Sequence, residues 1–421
     1  MLAFAPSVEH EAAMEIRDPE EFGFDAGRLA RTTAFLQETY VAPGLLPCAQ
    51  LLVARDGEPV HFTSLGIHRQ GSDYPLREDA IFRVASMTKP VTSLAFMMLV
   101  EEGKTSLDQP VAAVIPELEN VQVHAGGGAD GAPFRTVPPE RPMLMVDLLR
   151  HTSGLTYDFQ QMTAVDAAYR ERGLVTLRGK IALEPFVAAL GEIPLEFSPG
   201  TAWNYSVSTD VLALVVERLA GMPFEAFIAR RIFEPLGMVD TSFTVPPEKL
   251  HRLTDAWMLH PERGTVLYDK ADESSWSRPP TFVSGGGGLV STVADYHLFC
   301  RMLLNRGMLG GERIVSRKTM DLMTANHLPG GADLTELSRS MFSEAIYSGQ
   351  GFGLGFGVNM DPVKAMAPGS AGEFYWGGIF STFFFVDPVE RVTMVFMTQL
   401  MPSSTYPVRR QLRTLIYAAL E

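Results

Sequence analysis

Apolar residues fall into extended runs on either side of Asp56-Gly57 in the segment CAQLLVARDGEPVHFTSLG. Glycine tolerates a positive φ at that point, so the pattern predicts a β-hairpin. The preceding AGRLARTTAFLQETYV reads as a helix, and so does the apolar run that follows Ser86. Pro90 is compatible with a helix only in its first turn, and Gly103 suits its end, which predicts a helix over about 86–102. Residues 121–142 are rich in Gly and Pro and read as a long loop. Helical patterns then recur in MVDLLRHTSG, LEPFVAALGE, STDVLALVVERLAG and PFEAFIARRIFEPLGM.

From about residue 275 the texture changes. SGGGGLVSTVADYHLFCRMLLNRG predicts a Gly-rich turn entering a helix, with Thr292 and Asp295 as a capping box. GQGFGLGFGVNM alternates Gly with Phe352, Leu354 and Phe356 at strand period. It fits G-x-G-x-x-G in no register. STFFFVDP and RVTMVFMTQL predict two strands joined around Asp387-Pro388, and VRRQLRTLIYAALE a final helix. There is no internal repeat. The resulting expectation is an α+β fold: an antiparallel sheet built from both chain ends and flanked by helices, with a mainly helical domain inserted. The boundaries are 1–115 with 275–421 for the sheet domain and 116–274 for the helical one. Ser86 then falls where the two parts meet, a common place for small-molecule sites.

The 421 residues are 46% hydrophobic and 20% charged, which excludes wholesale disorder. A net charge of -14 without acidic blocks or basic clusters disfavours nucleic acid and anionic membrane as partners. The N-terminal stretch lacks a basic region followed by a long apolar core, and no apolar run approaches the roughly 20 residues of a membrane span. A cytoplasmic location is the expectation. Cys48 and Cys300, the two cysteines, sit in apolar surroundings and read as buried free thiols.

Ser86-Met87-Thr88-Lys89 is the single Ser-x-x-Lys of the chain. Residues at i and i+3 share a helix face, and a serine at a helix start has backbone N–H donors beside it. A lysine just inside an apolar helix is costly without partners, a setting suited to taking a proton from serine. The bland reading is a capping serine and a lysine that reaches solvent. Two further segments bear on the choice. TAWNYSVSTDVLALVVERL puts Tyr205 just ahead of a helix, where a phenol near an ammonium can act as a base. GEFYWGGIFSTFFFVDP puts Trp376, Gly377 and Gly378 at the expected start of a strand, where glycines would let a substrate lie against the backbone. No Gly-x-Ser-x-Gly, no His-Glu-x-x-His and no zinc-ligand spacing occurs. His151, Trp203 and the pair Tyr347-Ser348 read as structural or fortuitous.

In their order along the chain, FRVASMTKPVTSLAFMMLVEEGK, LLRHTSGLTY, FSPGTAWNYSVSTDVLALVVE, IFEPLGMVDTSF, SGGGGLVSTVADY, GFGLGFGV and WGG resemble the family VIII carboxylesterases of the serine β-lactamase-like superfamily. The resemblance implies a β-lactamase-like fold and a serine carboxylesterase that needs no cofactor and no metal. It implies that Ser86 is the acylated nucleophile and that Lys89 and Tyr205 share the general-base work. The backbone N–H groups of Ser86 and Ile379 would form the oxyanion hole. Trp376, Gly377 and Gly378 would line the acyl site, with Tyr157 beside them. Val207 stands where β-lactamase relatives carry the Asn of Tyr-x-Asn, and Trp-Gly-Gly replaces Lys-Thr-Gly. The missing amide and cation point away from β-lactam carboxylates and toward neutral short-chain or aryl esters, with slow β-lactam turnover left open. Acyl transfer or amide hydrolysis on the same scaffold, and a non-catalytic binding protein, are the alternatives.

Overall fold

The computed structural model describes residues 14–71, 74–128, 132–339, 348–403 and 405–421. Along the chain run α1 (Ala26–Phe35), β1 (Cys48–Arg55), β2 (Glu58–Gly66), α2 (Thr88–Glu101) and α3 (Ser208–Ala220). There follow β3 (Ala256–His260), β4 (Gly264–Asp269), α4 (Val293–Leu304), β5 (Gln350–Phe352) and β6 (Gly357–Asn359). The chain closes with β7 (Phe374–Gly377), β8 (Phe383–Asp387), β9 (Val392–Met397), β10 (Leu400–Met401) and α5 (Val408–Tyr417).

Seven strands form one antiparallel sheet in the order β5-β6-β7-β8-β9-β1-β2. Its centre joins the chain ends, with Leu51 of β1 opposite Phe396 of β9. Strand alternation assigns each side chain to a layer. Ala49, Leu51, Val53, Phe383, Phe385, Met394 and Phe396 pack under α1 and α5. Cys48, Leu52, Phe384, Val386, Val395 and Met397 face α2 and α4. Because both faces are covered, β1, β8 and β9 read as nearly continuous apolar runs. The β1–β2 turn has φ of 54° at Asp56 and 85° at Gly57, the twist that a tight hairpin requires. The β3–β4 hairpin pairs through β3 with β10. Both cysteines are buried and free. No helix among the described residues is long and apolar enough to cross a membrane.

Helix α2 is buried from Thr88 to Leu99 on every side and packs on α3. A helix enclosed in this way has no polar stripe, so its one charged group in that span, Lys89, has to find partners inside the protein. Gly103 ends it at φ 71°, with the Lys104 N–H on the Leu99 carbonyl at 3.0 Å.

Several expectations need correction. The 121–142 loop contains a short ribbon, Val123–Gly126 against Arg135–Val137. The Gly-alternating run is two strands, not one. The Gly353 N–H reaches the Phe356 carbonyl at 2.8 Å, and Gly355 turns at φ 95° where a side chain would strike Ser93 of α2. The α4 capping box is half made. Thr292 accepts from the Asp295 N–H, but the Asp295 carboxylate accepts from the Asp240 N–H at 2.7 Å and the Thr241 hydroxyl at 2.8 Å. Tyr347 lies outside the described residues.

Helix α5 is fastened by an acidic cluster. The Tyr417 hydroxyl lies 2.5 Å from Glu373 Oε2 and 2.6 Å from Asp387 Oδ2, and Arg413 lies 2.9 Å from Glu373 Oε1. One phenolic proton cannot serve two carboxylates, so the cluster holds a second proton. Burial, with the Asp387 charge in support and Arg413 opposing, pushes the Glu373 carboxyl up to about 7. A folded-state value above the unfolded one contributes stability that is complete at low pH and lost as pH rises through about 7. Wild-type melting temperature should therefore fall between pH 5 and 8, by the equivalent of about 2–3 kcal/mol. Glu373→Gln should flatten that slope in thermal melts across the window. Parallel slopes for the two proteins would refute the shared proton.

Candidate active site

Ser86 lies in a short 3₁₀ turn, Ala85–Met87, that leads directly into α2. The residue before it, Ala85, is buried with φ 44°, a left-handed conformation that costs an alanine about 1 kcal/mol or more. This bend aims Ser86 outward, leaving it half-buried while Met87 and Thr88 turn into the core. In the first turn the Ser86 N–H has no intrahelical acceptor. Three residues on, the Lys89 ammonium donates to Ser86 Oγ at 3.2 Å and to the Gly286 carbonyl at 2.6 Å. Lysine and serine are therefore directly linked, and the solvent-reaching lysine of the bland reading is not what the structure contains.

Tyr205 reaches the same ammonium from the segment before α3. The Lys89 nitrogen stands 4.5 Å from its ring centroid and 5.5 Å from that of Tyr157. Backbone pairing with residues 151–157 holds this segment: the Asn204 N–H binds the His151 carbonyl at 2.9 Å, and Val207 N–H the Thr156 carbonyl at 3.2 Å. The Gln160 amide donates to the Tyr205 carbonyl at 2.6 Å. Trp203, His151, Tyr157 and Trp376 surround the phenol, with ring centroids 4.8–6.2 Å from its own. Trp376 Nε1 donates to the phenolic oxygen at 3.3 Å. His151 donates to or accepts from Ser206 at 3.3 Å. Burial, then the Lys89 charge, lowers its imidazole well below the usual range and keeps it neutral.

Trp376 and Gly377 end β7 rather than beginning a strand. Gly378 to Thr382 form a tight turn, with the Gly378 N–H on the Thr382 carbonyl and the Ser381 N–H on the Gly378 carbonyl, both at 2.9 Å. The glycines do not present a bare face to a substrate. A Cβ on Gly377 would meet Arg409 and the Thr382 carbonyl, and one on Gly378 would collide with the Val84 carbonyl. What they permit is close approach of this turn to the chain just before Ser86, tied by Thr382 Oγ1 on the Val84 carbonyl at 3.3 Å. Ile379 consequently packs in the cluster that contains Ala85. Its N–H makes no backbone hydrogen bond among the described residues. The aromatic residues around this turn part company. Phe383 points to the opposite sheet face under α5, and Phe380 is buried against Trp276, so Trp376 is the ring of this group that reaches Tyr205.

Two features of this arrangement went unread in the sequence. Asp210 of α3 is fully buried and accepts from Ser284 Oγ at 2.6 Å and the Gly286 N–H at 3.0 Å. Burial pushes its carboxyl up while the Lys89 charge pulls it back. As the third residue of a helix it looks like an ordinary first-turn acid. Its signal was that it stands in an otherwise apolar stretch, DVLALVV. The second feature is the Gly286 carbonyl, a backbone acceptor that no side-chain motif announces. Among the described residues no group of three or more His, Cys, Asp or Glu could hold a metal ion.

The arrangement combines a half-exposed hydroxyl, a buried ammonium in hydrogen-bond reach of it, and a phenol facing that ammonium. EstCE1, "a hydrolase with promiscuous acyltransferase activity", superposes with a TM-score of 0.76 at 25% identity, covering 93% of this chain and 99% of that one. Protein Rv1367c of Mycobacterium tuberculosis is 35% identical over 364 residues, 85% of this chain and 87% of that protein. Esterase EstB of Burkholderia gladioli is 28% identical over 424 residues, 95% of this chain and 98% of that protein. The model of the Beta-lactamase family matches residues 36–418, so the fold and the sequence agree that this chain belongs to the beta-lactamase family.

Proposed function

We propose that the protein is a serine hydrolase of family VIII type that cleaves short-chain or aryl carboxylic esters through an acyl-enzyme. The observation that carries this reading is the buried Lys89 ammonium, 3.2 Å from Ser86 Oγ and 4.5 Å from the Tyr205 ring centroid. Ser86 Oγ attacks the ester carbonyl carbon, and its proton passes to the Lys89/Tyr205 pair. The tetrahedral oxyanion accepts hydrogen bonds from the Ser86 and Ile379 N–H groups, donors of a kind worth about 10²–10³ in rate each. Collapse breaks the C–O bond, and the alcohol leaves with the proton from Tyr205. The Tyr205 phenolate left behind takes a proton from water, the hydroxide attacks the acyl carbon, the bond to Ser86 Oγ breaks, and Tyr205 returns the proton to Oγ as the acid leaves.

The substrate preference rests on what faces the site. In the sequence, Val207 and Trp376 replace the amide and the cation that would greet a β-lactam, and Tyr157, stacked on Phe159 at 4.7 Å, adds aromatic surface beside Lys89. EstB, named as an esterase, supports ester chemistry. The likeness to EstCE1 favours acyl transfer as a second outcome of the same acyl-enzyme. The test is one assay with three arms: p-nitrophenyl esters of increasing acyl length, nitrocefin, and the best ester with an added alcohol. The short esters should turn over fastest, with nitrocefin slow. Faster turnover of nitrocefin than of every ester would reverse the assignment. Diversion of most of the acyl group to the alcohol would make transfer the main activity.

A further inference from the structure

The Gly286 carbonyl that holds Lys89 belongs to the turn Ser284–Gly286, in which Ser284 carries the one side chain. Ser284 to Gly286 press against α3, where a Cβ on Gly285 would collide with Ala213 and the Thr209 carbonyl. Asp210 Oδ1 ties this turn from both sides, taking the Ser284 hydroxyl and the Gly286 N–H. Its other oxygen, Oδ2, is buried and accepts no hydrogen bond among the described residues. Burial pushes this carboxyl up while its two donors hold it toward the carboxylate, and a carboxylate so desolvated acts strongly on its neighbours. The charge that opposes the rise is that of Lys89 on α2, held at 2.6 Å by the Gly286 carbonyl of the same turn. Tyr157, on the 150–157 segment, places its hydroxyl beside the same spot, since a Cβ on Gly286 would lie 2.7 Å from Asp210 Oδ2 and 3.1 Å from Tyr157 Oη. Tyr205 and the neutral His151 complete the titratable groups around the lysine. Charges on the other helices packed on α3 are engaged elsewhere or lie outside: Asp147 binds Arg141 at 2.6 Å and Arg150 at 3.0 Å, Glu184 binds Arg218 at 2.8 Å, and Glu225 is exposed.

We propose that Asp210 is a positioning residue for this centre: it pins the turn that presents the Gly286 carbonyl, and its buried anion holds Lys89 as an ammonium beside Ser86 and Tyr205. The proposal rests on the ester-hydrolase reading for its kinetic consequences, but the charge coupling stands by itself. A negative charge raises the proton affinity of every group it faces, so removing it lets those groups lose their protons at lower pH.

Asp210→Asn tests this, because asparagine keeps the volume and the Oδ1 acceptor and discards the charge. Two measurements are made on the full chain. In protein carrying ¹³C-labelled lysine, the Lys89 side chain, assigned with Lys89→Arg, should titrate about one to two pH units lower in Asp210→Asn than in wild type. In ester hydrolysis, both limbs of the kcat/KM profile should move to lower pH by a similar amount, with KM little changed. Ser284→Ala, which keeps the carboxylate and loosens the turn, should lower the plateau of the profile without moving its limbs. An unmoved Lys89 titration overturns the proposal, and so do limbs that stay in place while activity merely falls. If the wild type cleaves no ester, the functional reading fails, and the lysine titration alone decides the role of Asp210.

Discussion

Ser86→Ala is expected to lower kcat for p-nitrophenyl ester hydrolysis by at least about 10⁴-fold, the scale on which loss of a nucleophile acts in serine hydrolases. The fold should survive. Ser86 is half-buried, its Oγ has Lys89 as its hydrogen-bond partner in the structure, and Lys89 keeps the Gly286 carbonyl at 2.6 Å when that oxygen is gone. The melting temperature should therefore stay within a few degrees of wild type, as expected for a substitution outside the packed core. Steady-state kinetics checks the rate. A fluorophosphonate probe with peptide mapping checks the atom: wild type should carry the label on Ser86, and the variant should carry none. Retention of more than about a hundredth of the activity would put the nucleophile elsewhere, since no other group could replace it so well.

Tyr205→Phe should lower kcat/KM by about 10²–10⁴, the range for a positioned general acid or base. This substitution separates the hydroxyl from the ring. The ring contacts with Trp203, His151, Tyr157 and Trp376 remain, as does the face turned to Lys89. What disappears is the phenolic oxygen, and with it the acceptor of Trp376 Nε1. An indole N–H left buried without an acceptor costs about 1–3 kcal/mol, so the melting temperature should drop measurably. Rate and stability must therefore be measured together. A variant less stable by that amount but fully active would remove Tyr205 from the proton path. Probe labelling of Ser86 should persist in Tyr205→Phe, only more slowly, which distinguishes it from Ser86→Ala.

Much of the fold was legible where local chemistry and global packing agree. The 86–102 helix could be read because Pro90 and Gly103 punctuate it, and the hairpin at Asp56-Gly57 because both residues tolerate positive φ. The strands of STFFFVDP and RVTMVFMTQL could be read because a sheet covered on both faces leaves unbroken apolar runs. The failures share a cause as well. Gly355, Gly377 and Gly378 owe their identity to what approaches them from distant segments, Ser93, Arg409 and Val84, and no local pattern records that. Phe380, Phe383 and Trp376 stand close together in sequence but fall in three separate clusters, since a tight turn and strand alternation part them. In the site, side-chain members left a motif to find. The Gly286 carbonyl, the left-handed bend at Ala85 and the carboxylate of Asp210 act through backbone placement or through other groups, and left none.

The pairing of β1 with β9 dictates when the enzyme can come into being. A ribosome finishes Cys48–Arg55 more than three hundred residues before Val392–Met397 emerges to flank it. Until then β1 has one neighbour, β2, and an open edge of amide and carbonyl groups beside a nascent α2 that has no sheet to lie on. Assembly of the surroundings of Ser86 is thus deferred to the end of synthesis. Closing so long a loop makes spontaneous refolding slow.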